Sequence, residues 1–399
     1  MRKTLFFIFI LALFLRVLSV VTQDESRREP KSDAKEYDTI AVNIASGKGL
    51  SQTVNGVVTP TTRRTPGYPV FLAAIYKVFG HSYPAVKFAQ ALMGALFCLV
   101  IFFIGKAVYN DLTGAIAAFI TAVYKPFALG FFYYGGPSYL LSEYLYMFLT
   151  GLSLLFFILF IKRGRNADGI LAGIFTGAAV LTRPEFIIFP VMAFFYIWVS
   201  LGFSVSKSVK KYFLAYLFIG MTLTPWVARN YMAQGKFIPL STYSGHMFWM
   251  GNNSLVRGGW SFPADYSKVV EGIKGLSEYE KNKVFFRKGA EWLAENKNKV
   301  PALLVRKELV HWAPFEEGFS VFNPYYAFIL LLGAIGILFF RKKGLAENMI
   351  ISVLLTSSLA AVIIFGDPRY RYPYEFCLIL FSSLTVVRLC GFALKKELV

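Results

Sequence analysis

Long apolar runs recur along the whole chain, and they constrain the fold more than any other feature. A helix that crosses a lipid bilayer needs roughly 17–25 mostly apolar residues. Because unpaired backbone groups are costly in lipid, several such runs in one chain predict a bundle of spanning helices. We therefore expect an all-α polytopic membrane protein with ten spanning segments, at about residues 4–22, 86–106, 112–134, 139–161, 168–182, 185–202, 212–228, 325–340, 347–365 and 373–391.

The composition suits a chain whose solvent is lipid. Hydrophobic residues make up 56% of the chain and charged residues 16%, whereas a soluble domain carries about 25% charged residues. The formal net charge of +19 raises nucleic-acid binding as a function class. The basic residues, however, lie in short clusters between apolar runs, and the chain has no nucleic-acid-binding motif. We therefore expect no nucleic-acid partner.

Clusters of Lys and Arg predict the orientation of the chain, because they concentrate on the cytoplasmic side of a membrane. With ten spans all the clusters fall on one side, which places both termini in the cytoplasm of a cell that carries the protein in its inner or plasma membrane. The first apolar run is longer than a signal-peptide core, so we expect an uncleaved anchor. The clusters are Arg2 and Lys3; Lys162, Arg163 and Arg165; Lys207, Lys210 and Lys211; Arg341, Lys342 and Lys343; and Lys395 and Lys396.

Two long loops, residues 23–85 and 229–324, fall on the opposite, outer face. Within the second loop, residues 277–312 have the periodicity of one or two amphipathic helices broken at Pro301. We therefore expect a helical outer-face module. The predicted parts of the chain are an N-terminal transmembrane module at 1–228, the outer-loop subdomain at 229–324 and the C-terminal spanning helices at 325–399.

Ionisable residues gather on this outer face. Asp33 lies in the first outer loop, and Arg63 and Arg64 follow it in the same loop. Charges at membrane depth are costly and often mark function, although loop charges can simply be solvated and a single Arg can be an interfacial anchor. The convergence of several on one face favours a functional site. Its further members, at the ends of later spans, are Glu143, Arg183, Arg229, Arg369 and Arg371.

The sequence offers no obvious metal site. The three histidines, His81, His246 and His311, lie far apart, and the three cysteines lack any metal-binding spacing. We therefore expect neither a metal nor another cofactor.

Together, these residues and the sequences around them resemble the GT-C superfamily of membrane glycosyltransferases. The likeness is closest to the bacterial branch related to protein O-mannosyltransferases and the lipid A aminoarabinose transferase. No single piece is as specific as a phosphate-binding P-loop, but their order and topology together are fairly specific. The matching pieces are SDAKEYDTIAVNIASGKG, RRTPGYPVFLAAIY, LSEYLYMFL, LTRPEF, PWVARNYMAQGKFIPLSTYSGHMFWMGNN and DPRYRYP.

The resemblance implies a transferase that moves a sugar from a polyprenyl-phosphate donor to a hydroxyl of a glycan, lipid or protein acceptor, with inversion. Asp33 matches the family's acidic residue in the first outer loop and would be the general base. Glu143 matches a second catalytic carboxylate, and Arg64 best matches the residue that contacts the donor phosphate. The remaining implied contacts are Arg63, Arg183, Arg229, Arg369 and Arg371 for the phosphate, and Tyr37, Tyr68, His246 and Asn252 for the substrates.

The sequence departs from that of the protein mannosyltransferases after Asp33, and three alternative functions stay open. Protein mannosyltransferases carry an adjacent Asp-Glu pair in this loop, whereas here Ala34 follows Asp33. A lipid-linked glycan polymerase or ligase would rely on Arg and His in a large outer loop. A non-enzymatic glycolipid transporter or flippase would tend to have repeated halves and helices broken at mid-bilayer, and the third alternative is a structural membrane protein. The position of Asp33 and the lack of an internal repeat favour the transferase.

Overall fold

A computed structural model of the chain describes residues 1–22, 30–130, 136–316 and 320–393. Residues 23–29 of the first outer loop, and Lys395 and Lys396 of the last basic cluster, lie outside the described residues. Within these ranges the chain is nearly all helical, and the few strands form two antiparallel hairpins. The expected all-α class is therefore confirmed.

The segment predicted as the first outer loop forms a folded unit with its own helices. An Asn-Gly pair forms the tight turn of its hairpin, since Asn55 and Gly56 both have positive φ, of 50° and 81°. Such two-residue turns match the natural twist of paired strands. After the first membrane helix α1 (Arg2–Val21), this unit contains α2 (Asp33–Ala45), β1 (Ser51–Val54), β2 (Val57–Pro60) and α3 (Gly67–Phe79).

Among the described residues, six helices longer than one turn then form the first part of the membrane bundle. The prediction of one helix over 112–134 is wrong. The backbone is extended at Tyr124, and Pro126 has no N–H to donate a helical hydrogen bond, so the helix that begins at Asp111 ends at Val123. Gly105 and Gly114 allow two of the helices to cross closely. The helices are α4 (Tyr83–Val108), α5 (Asp111–Val123), the single turn α6 (Lys125–Ala128), α7 (Glu143–Arg163), α8 (Asn166–Thr182), α9 (Ile188–Ser200) and α10 (Val205–Gln234).

The segment predicted as the second outer loop, residues 229–324, contains several helices, and its position on the outer face stays a prediction. Its predicted amphipathic stretch forms two helices, α13 and α14 below, and the break falls before Pro301, which occupies the first turn of the second helix. Proline is tolerated there because its missing N–H would be unpaired in any case. The elements are α11 (Ser244–Gly251), α12 (Tyr266–Gly272), α13 (Glu278–Glu295), α14 (Val300–Trp312), β3 (Phe315–Glu316) and β4 (Val321–Phe322).

The C-terminal part completes the bundle. Its last helix packs against the helix at 324–335 and against α5, so all of its side chains from Glu375 to Thr385 are buried. The elements are α15 (Pro324–Ile335), α16 (Leu345–Ile363), α17 (Pro368–Arg371) and α18 (Glu375–Ala393).

Only some of the expected spans are long enough to cross a bilayer unaided. Among the described residues, five helical segments have the required length and apolar character, and five more apolar helices are shorter. The protein is therefore a membrane protein, and the count of ten spans stays a prediction. The long segments are Arg2–Val21, Tyr83–Val108, Glu143–Arg163, Leu345–Ile363 and Pro368–Ala393.

Candidate active site

A cavity of about 400 Å³ lies where the ends of several helices meet the two outer loops. Charged side chains from α2, from the loop before α3 and from α17 line one part of it. Apolar side chains from α9, α11 and α16, such as Ile188, Met247 and Ile363, line another part. A cavity with both kinds of lining suits a molecule that joins a charged group to a hydrocarbon. Its charged residues are Asp33, Arg63, Arg64, Arg183, Glu185 and Arg369.

Asp33 begins α2, and its carboxylate lies between two guanidinium groups. Arg64 Nη2 donates to Oδ1 at 2.6 Å, and Arg369 Nη1 donates to Oδ2 at 3.1 Å. Burial raises the pKa of Asp33, but the Arg64 and Arg369 charges outweigh burial and hold that pKa below its usual value. The side chain is still 34% exposed. Asp33 is thus an ionised carboxylate that a substrate can reach.

Glu36 fixes the two adjacent arginines of the first outer loop. One of its oxygens accepts from Arg64 Nε at 2.7 Å, and the other lies 2.8 Å from Arg63 Nε. The Arg64 side chain is only 11% exposed. Because Glu36 follows Asp33 by three positions on α2, both carboxylates project from one helix face. Arg64 is therefore held in a fixed geometry beside Asp33.

Glu143, the first residue of α7, lies behind the cavity and not on its surface. It is 2% exposed, and its Oε1 accepts from Arg369 Nε at 2.5 Å and lies 3.3 Å from Arg183 Nη1. Arg183, at the C-terminal end of α8, also donates to Glu185 at 2.6 Å. Glu143 thus orients two of the arginines that line the cavity.

These contacts connect into one chain of alternating charge. It joins α2, the loop before α3, the start of α7, the end of α8 and α17, and each group between its two ends contacts two oppositely charged side chains. Buried networks of this kind rigidify a site when every member is paired. The order along the chain is Glu36, Arg64, Asp33, Arg369, Glu143, Arg183 and Glu185.

Tyrosine rings cover the guanidinium groups of the cavity. Arg63 lies 4.0 Å and Arg64 4.7 Å above the centre of the Tyr243 ring. Tyr37 faces Arg64 at 5.1 Å, and Tyr37 and Tyr243 both line the cavity. Stacking of this kind stabilises arginine while leaving its N–H edge free for hydrogen bonds.

The structure does not bring two of the expected phosphate contacts to this cavity. Arg229 lines a separate open groove, and its guanidinium donates to the carbonyls of Leu50 and Thr61. Arg371 is fully buried and ion-paired with Glu316 and with Glu375, a residue of the last helix. Both guanidinium groups hold protein elements together.

Three of the four expected substrate contacts also lie away from the cavity surface. The buried Tyr68 hydroxyl donates to Gln90, and the buried Asn252 amide bridges Lys307 and the Ile363 carbonyl. His246 lies behind Tyr243, on which its ring stacks. Burial, followed by the charges of Arg63 and Arg64, lowers the pKa of His246 to about 4, so the ring is neutral at neutral pH. Of these four residues, only Tyr37 lines the cavity.

Three residues of the site were missed in the sequence. Glu36 had a readable signal, since it lies three positions after Asp33 on a helix. Glu185 also had one, since it follows Arg183 closely in a turn. Tyr243 had none, because only the folded second outer loop brings it under Arg63. The described residues contain no group of three or more His, Cys, Asp or Glu side chains that could hold a metal ion.

Comparison with known proteins agrees with this architecture. A family model described as dolichyl-phosphate-mannose-protein mannosyltransferase matches residues 63–228. That range contains Arg64, Glu143 and Arg183 but begins after Asp33 and ends before Arg229. A search of curated proteins finds no match.

Solved structures of oligosaccharyltransferases share the fold at low sequence identity. The oligosaccharyltransferase of Archaeoglobus fulgidus, tethered with an acceptor peptide, has a TM-score of 0.61 at 15% identity and covers 98% of this chain and 50% of its own. AglB from the same organism, in complex with an inhibitory peptide and a dolichol-phosphate, has a TM-score of 0.59 at 14% identity, covering 99% and 52%. ArnT from Cupriavidus metallidurans, bound to undecaprenyl phosphate, has a TM-score of 0.48 at 13% identity, covering 97% and 78%.

This chain spans about half the length of the oligosaccharyltransferase chains that it matches. The family model and the shared fold confirm its resemblance to the GT-C superfamily of membrane glycosyltransferases.

Proposed function

We propose that this chain, which has the fold of the GT-C membrane glycosyltransferases, transfers a sugar from a polyprenyl-phosphate donor to an acceptor hydroxyl. The observation that carries the proposal is the Asp33 carboxylate, which lies between Arg64 and Arg369 in a partly apolar cavity. A base beside phosphate-binding groups is what such a transfer requires. We place the cavity at the outer face of a cell membrane, with both termini in the cytoplasm.

The comparisons support this donor class. The family model describes a transferase named for a dolichyl-phosphate sugar, and one AglB structure holds a dolichol-phosphate. The apolar part of the cavity offers a surface for the first isoprene units of such a lipid. In this proposal residues 1–228 supply the catalytic carboxylate, and the parts at 229–324 and 325–399 complete the cavity wall.

Asp33 acts as the general base. Its carboxylate takes the proton of the acceptor hydroxyl, whose oxygen forms a bond to the anomeric carbon of the donor sugar. The bond between that carbon and the phosphate oxygen breaks, and its electron pair leaves with the lipid phosphate. Attack from the face opposite the phosphate inverts the configuration. A donor phosphate would bind the same two guanidinium groups and offset their positive charge beside Asp33. Its binding therefore raises the pKa of Asp33 and makes the carboxylate a stronger base.

Arg64 and Arg369 stabilise the departing lipid phosphate, and Arg183 and Arg63 add to the positive field on either side of them. Guanidinium groups suit this role because they present paired N–H donors to phosphate oxygens. Glu143 does not touch the substrates in this scheme. It is a positioning residue, because it holds Arg369 and Arg183 from the buried side.

The test is sugar transfer by purified protein in lipid vesicles, with radiolabelled polyprenyl-phosphate sugar and extracted envelope fractions as acceptors. We expect Asp33→Asn to abolish transfer of the label while the protein still inserts and folds. The matched control is Asp38→Asn, which removes a carboxylate from the same helix but away from the cavity, where Asp38 accepts from Tyr76 and Tyr83.

Transfer at the wild-type rate by Asp33→Asn contradicts the assignment of the base. Label that stays on the lipid but crosses to the other leaflet favours the transporter alternative. Products that grow by repeated units favour the polymerase.

A further inference from the structure

A carboxylate of the second outer loop clamps the segment that carries Arg63 and Arg64. Glu278 is the first residue of α13. Within the described residues, its hydrogen-bond donors are hydroxyl and backbone N–H groups and not cations. Its Oε1 accepts from Thr61 Oγ1 at 2.6 Å. Its Oε2 accepts from the Thr62 backbone N–H at 2.8 Å and from the Thr62 hydroxyl at 2.9 Å. The Thr242 hydroxyl donates to the same oxygen at 3.2 Å.

The clamped groups are buried, so the hydrogen bonds matter to the local fold. Thr61 is 1% exposed and Thr62 is not exposed at all. A buried N–H that loses its acceptor bears the full cost of desolvation. Without Glu278, the Thr62 N–H therefore has to move to find water or another acceptor. Thr62 lies directly before Arg63, so that movement displaces the two arginines.

Further contacts tie the same two segments together. The Thr242 N–H donates to the Thr62 carbonyl at 3.0 Å, and the Ser241 hydroxyl donates to the Arg63 carbonyl at 2.5 Å. The ring of Tyr243 then lies under the Arg63 guanidinium. The backbone at 61–63 is thus held by α13 on one side and by residues 241–243 on the other.

Helix α13 is itself anchored on α11. Asn282 accepts the Gly245 N–H at 2.7 Å, and the rings of Trp249 and Phe285 stack with their centres 5.5 Å apart. The position of Glu278 is therefore set by the packing of the second outer loop, although the arginines that it fixes belong to the first.

We propose that Glu278 is a positioning residue that couples the second outer loop to the donor-phosphate contacts of Arg63 and Arg64. The part of this proposal that concerns the donor rests on the function proposed above. The coupling itself does not, because it concerns only how the segment 61–64 is held. Rearrangement of the second outer loop by an acceptor would, through Glu278, change how the donor is bound.

The test compares Glu278→Ala with Glu278→Gln, Thr242→Val and Glu280→Ala in the full-length protein. Hydrogen–deuterium exchange of the peptide that contains residues 61–64 measures the coupling. We expect exchange in Glu278→Ala to be faster by about tenfold, as for the loss of one charge-assisted hydrogen bond. Thr242→Val should shift exchange in the same direction by less. Glu278→Gln should stay close to wild type, since its carbonyl still accepts the Thr62 N–H.

Glu280→Ala is the control for the start of the helix. Glu280 lies in the same first turn, and within the described residues its side chain forms hydrogen bonds with Ser277, in a capping box, and not with the segment 61–64. Its loss should leave exchange at 61–64 unchanged. If Glu280→Ala accelerates exchange as much as Glu278→Ala does, or if neither Glu278→Ala nor Thr242→Val accelerates it, the coupling is overturned.

Transfer kinetics then test the positioning role. We expect Glu278→Ala to raise the KM for the donor by about tenfold, with Glu278→Gln restoring most of the affinity. Faster exchange with an unchanged donor KM, when Arg64→Ala does raise it, overturns the positioning role. If wild-type protein transfers no sugar while exchange responds as expected, the proposed function fails and the coupling stands.

Discussion

Arg369 Nη1 donates a hydrogen bond to Asp33 Oδ2 at 3.1 Å, across 336 residues of sequence. The same guanidinium donates through Nε to Glu143. One arginine near the C-terminal end of the chain thus connects the proposed base, at the start of α2, to a buried carboxylate at the start of α7. The protonation state of Asp33 therefore depends on a residue from the opposite end of the sequence.

The first prediction concerns the acid limb of the pH profile for transfer. A base must be ionised to act, and Arg64 and Arg369 hold the pKa of Asp33 below its usual value against the effect of burial. Arg369→Gln removes one of these charges, so the pKa of Asp33 rises. We expect the acid limb of kcat/KM, which reports groups of the free enzyme, to move to higher pH than in wild type.

Arg183→Gln is the control for this shift. Among the described residues Arg183 forms its ion pairs with Glu143 and Glu185 and not with Asp33. Its loss should therefore reduce the rate of transfer and shift the acid limb less than Arg369→Gln does. An acid limb that stays in place in Arg369→Gln would show that the limb does not report Asp33.

The second prediction concerns Glu36, which holds Arg63 and Arg64 through both of its oxygens. Glu36→Gln removes the charge that fixes the two guanidinium groups. We expect the KM for the donor to rise about tenfold, the effect of losing one charge-assisted hydrogen bond. A double-mutant cycle with Arg64→Gln measures the coupling, and we expect Glu36→Gln to have much less effect once Arg64 is absent. Additive effects of the two substitutions would contradict this role.

The convergence of Asp33, Arg64, Glu143, Arg183 and Arg369 could be predicted from the sequence. Each follows or precedes an apolar run, and the alternation of spans places all of them on one face. The Asn-Gly turn and the three-residue spacing of Asp33 and Glu36 were also readable. These signals are local, or they depend only on counting spans.

Contacts that depend on tertiary packing could not be predicted. Arg369 and Arg371 are two positions apart in a helical turn, so they point in nearly opposite directions, one to the cavity and one into the core. Only the folded positions of α14 and β3 show which of the two arginines faces the cavity and which faces the core. Apolar helices of the length of α3 are equally ambiguous, because they are too short to cross a bilayer and too apolar to be exposed.

The third prediction separates these two arginines. Arg371 is fully buried between Glu316 and Glu375, and its guanidinium lies 3.7 Å above the centre of the Tyr326 ring. Arg371→Met leaves two buried carboxylates without their cation, which costs about 3–5 kcal/mol of folding stability. We expect a large fall in Tm in detergent, with an unchanged donor KM in the protein that stays folded. Arg369→Met should instead slow transfer, because it removes a phosphate contact of the cavity. A raised donor KM in Arg371→Met would mean that Arg371 contributes to donor binding after all.

The fourth prediction concerns the close approach of α3 to the end of α8. A Cβ on Gly67 would lie 2.9 Å from both the Leu181 carbonyl oxygen and Thr182 Cα, and it would overlap the Thr182 hydroxyl. Most of these are backbone atoms, so they cannot rotate away, and Arg183 follows directly. Gly67→Ala should therefore destabilise the protein by about 1–3 kcal/mol, the usual effect of overpacking, and weaken transfer by displacing Arg183.

Gly220→Ala is the matched control, because a Cβ there meets nothing within 4 Å in the middle of α10. Alanine is the better helix former by about 0.5–1 kcal/mol, so Tm should stay equal or rise. Both values are read from thermal unfolding of the purified protein in the same detergent. Equal Tm values for the two variants would mean that α3 and α8 do not approach as closely as the structure has them.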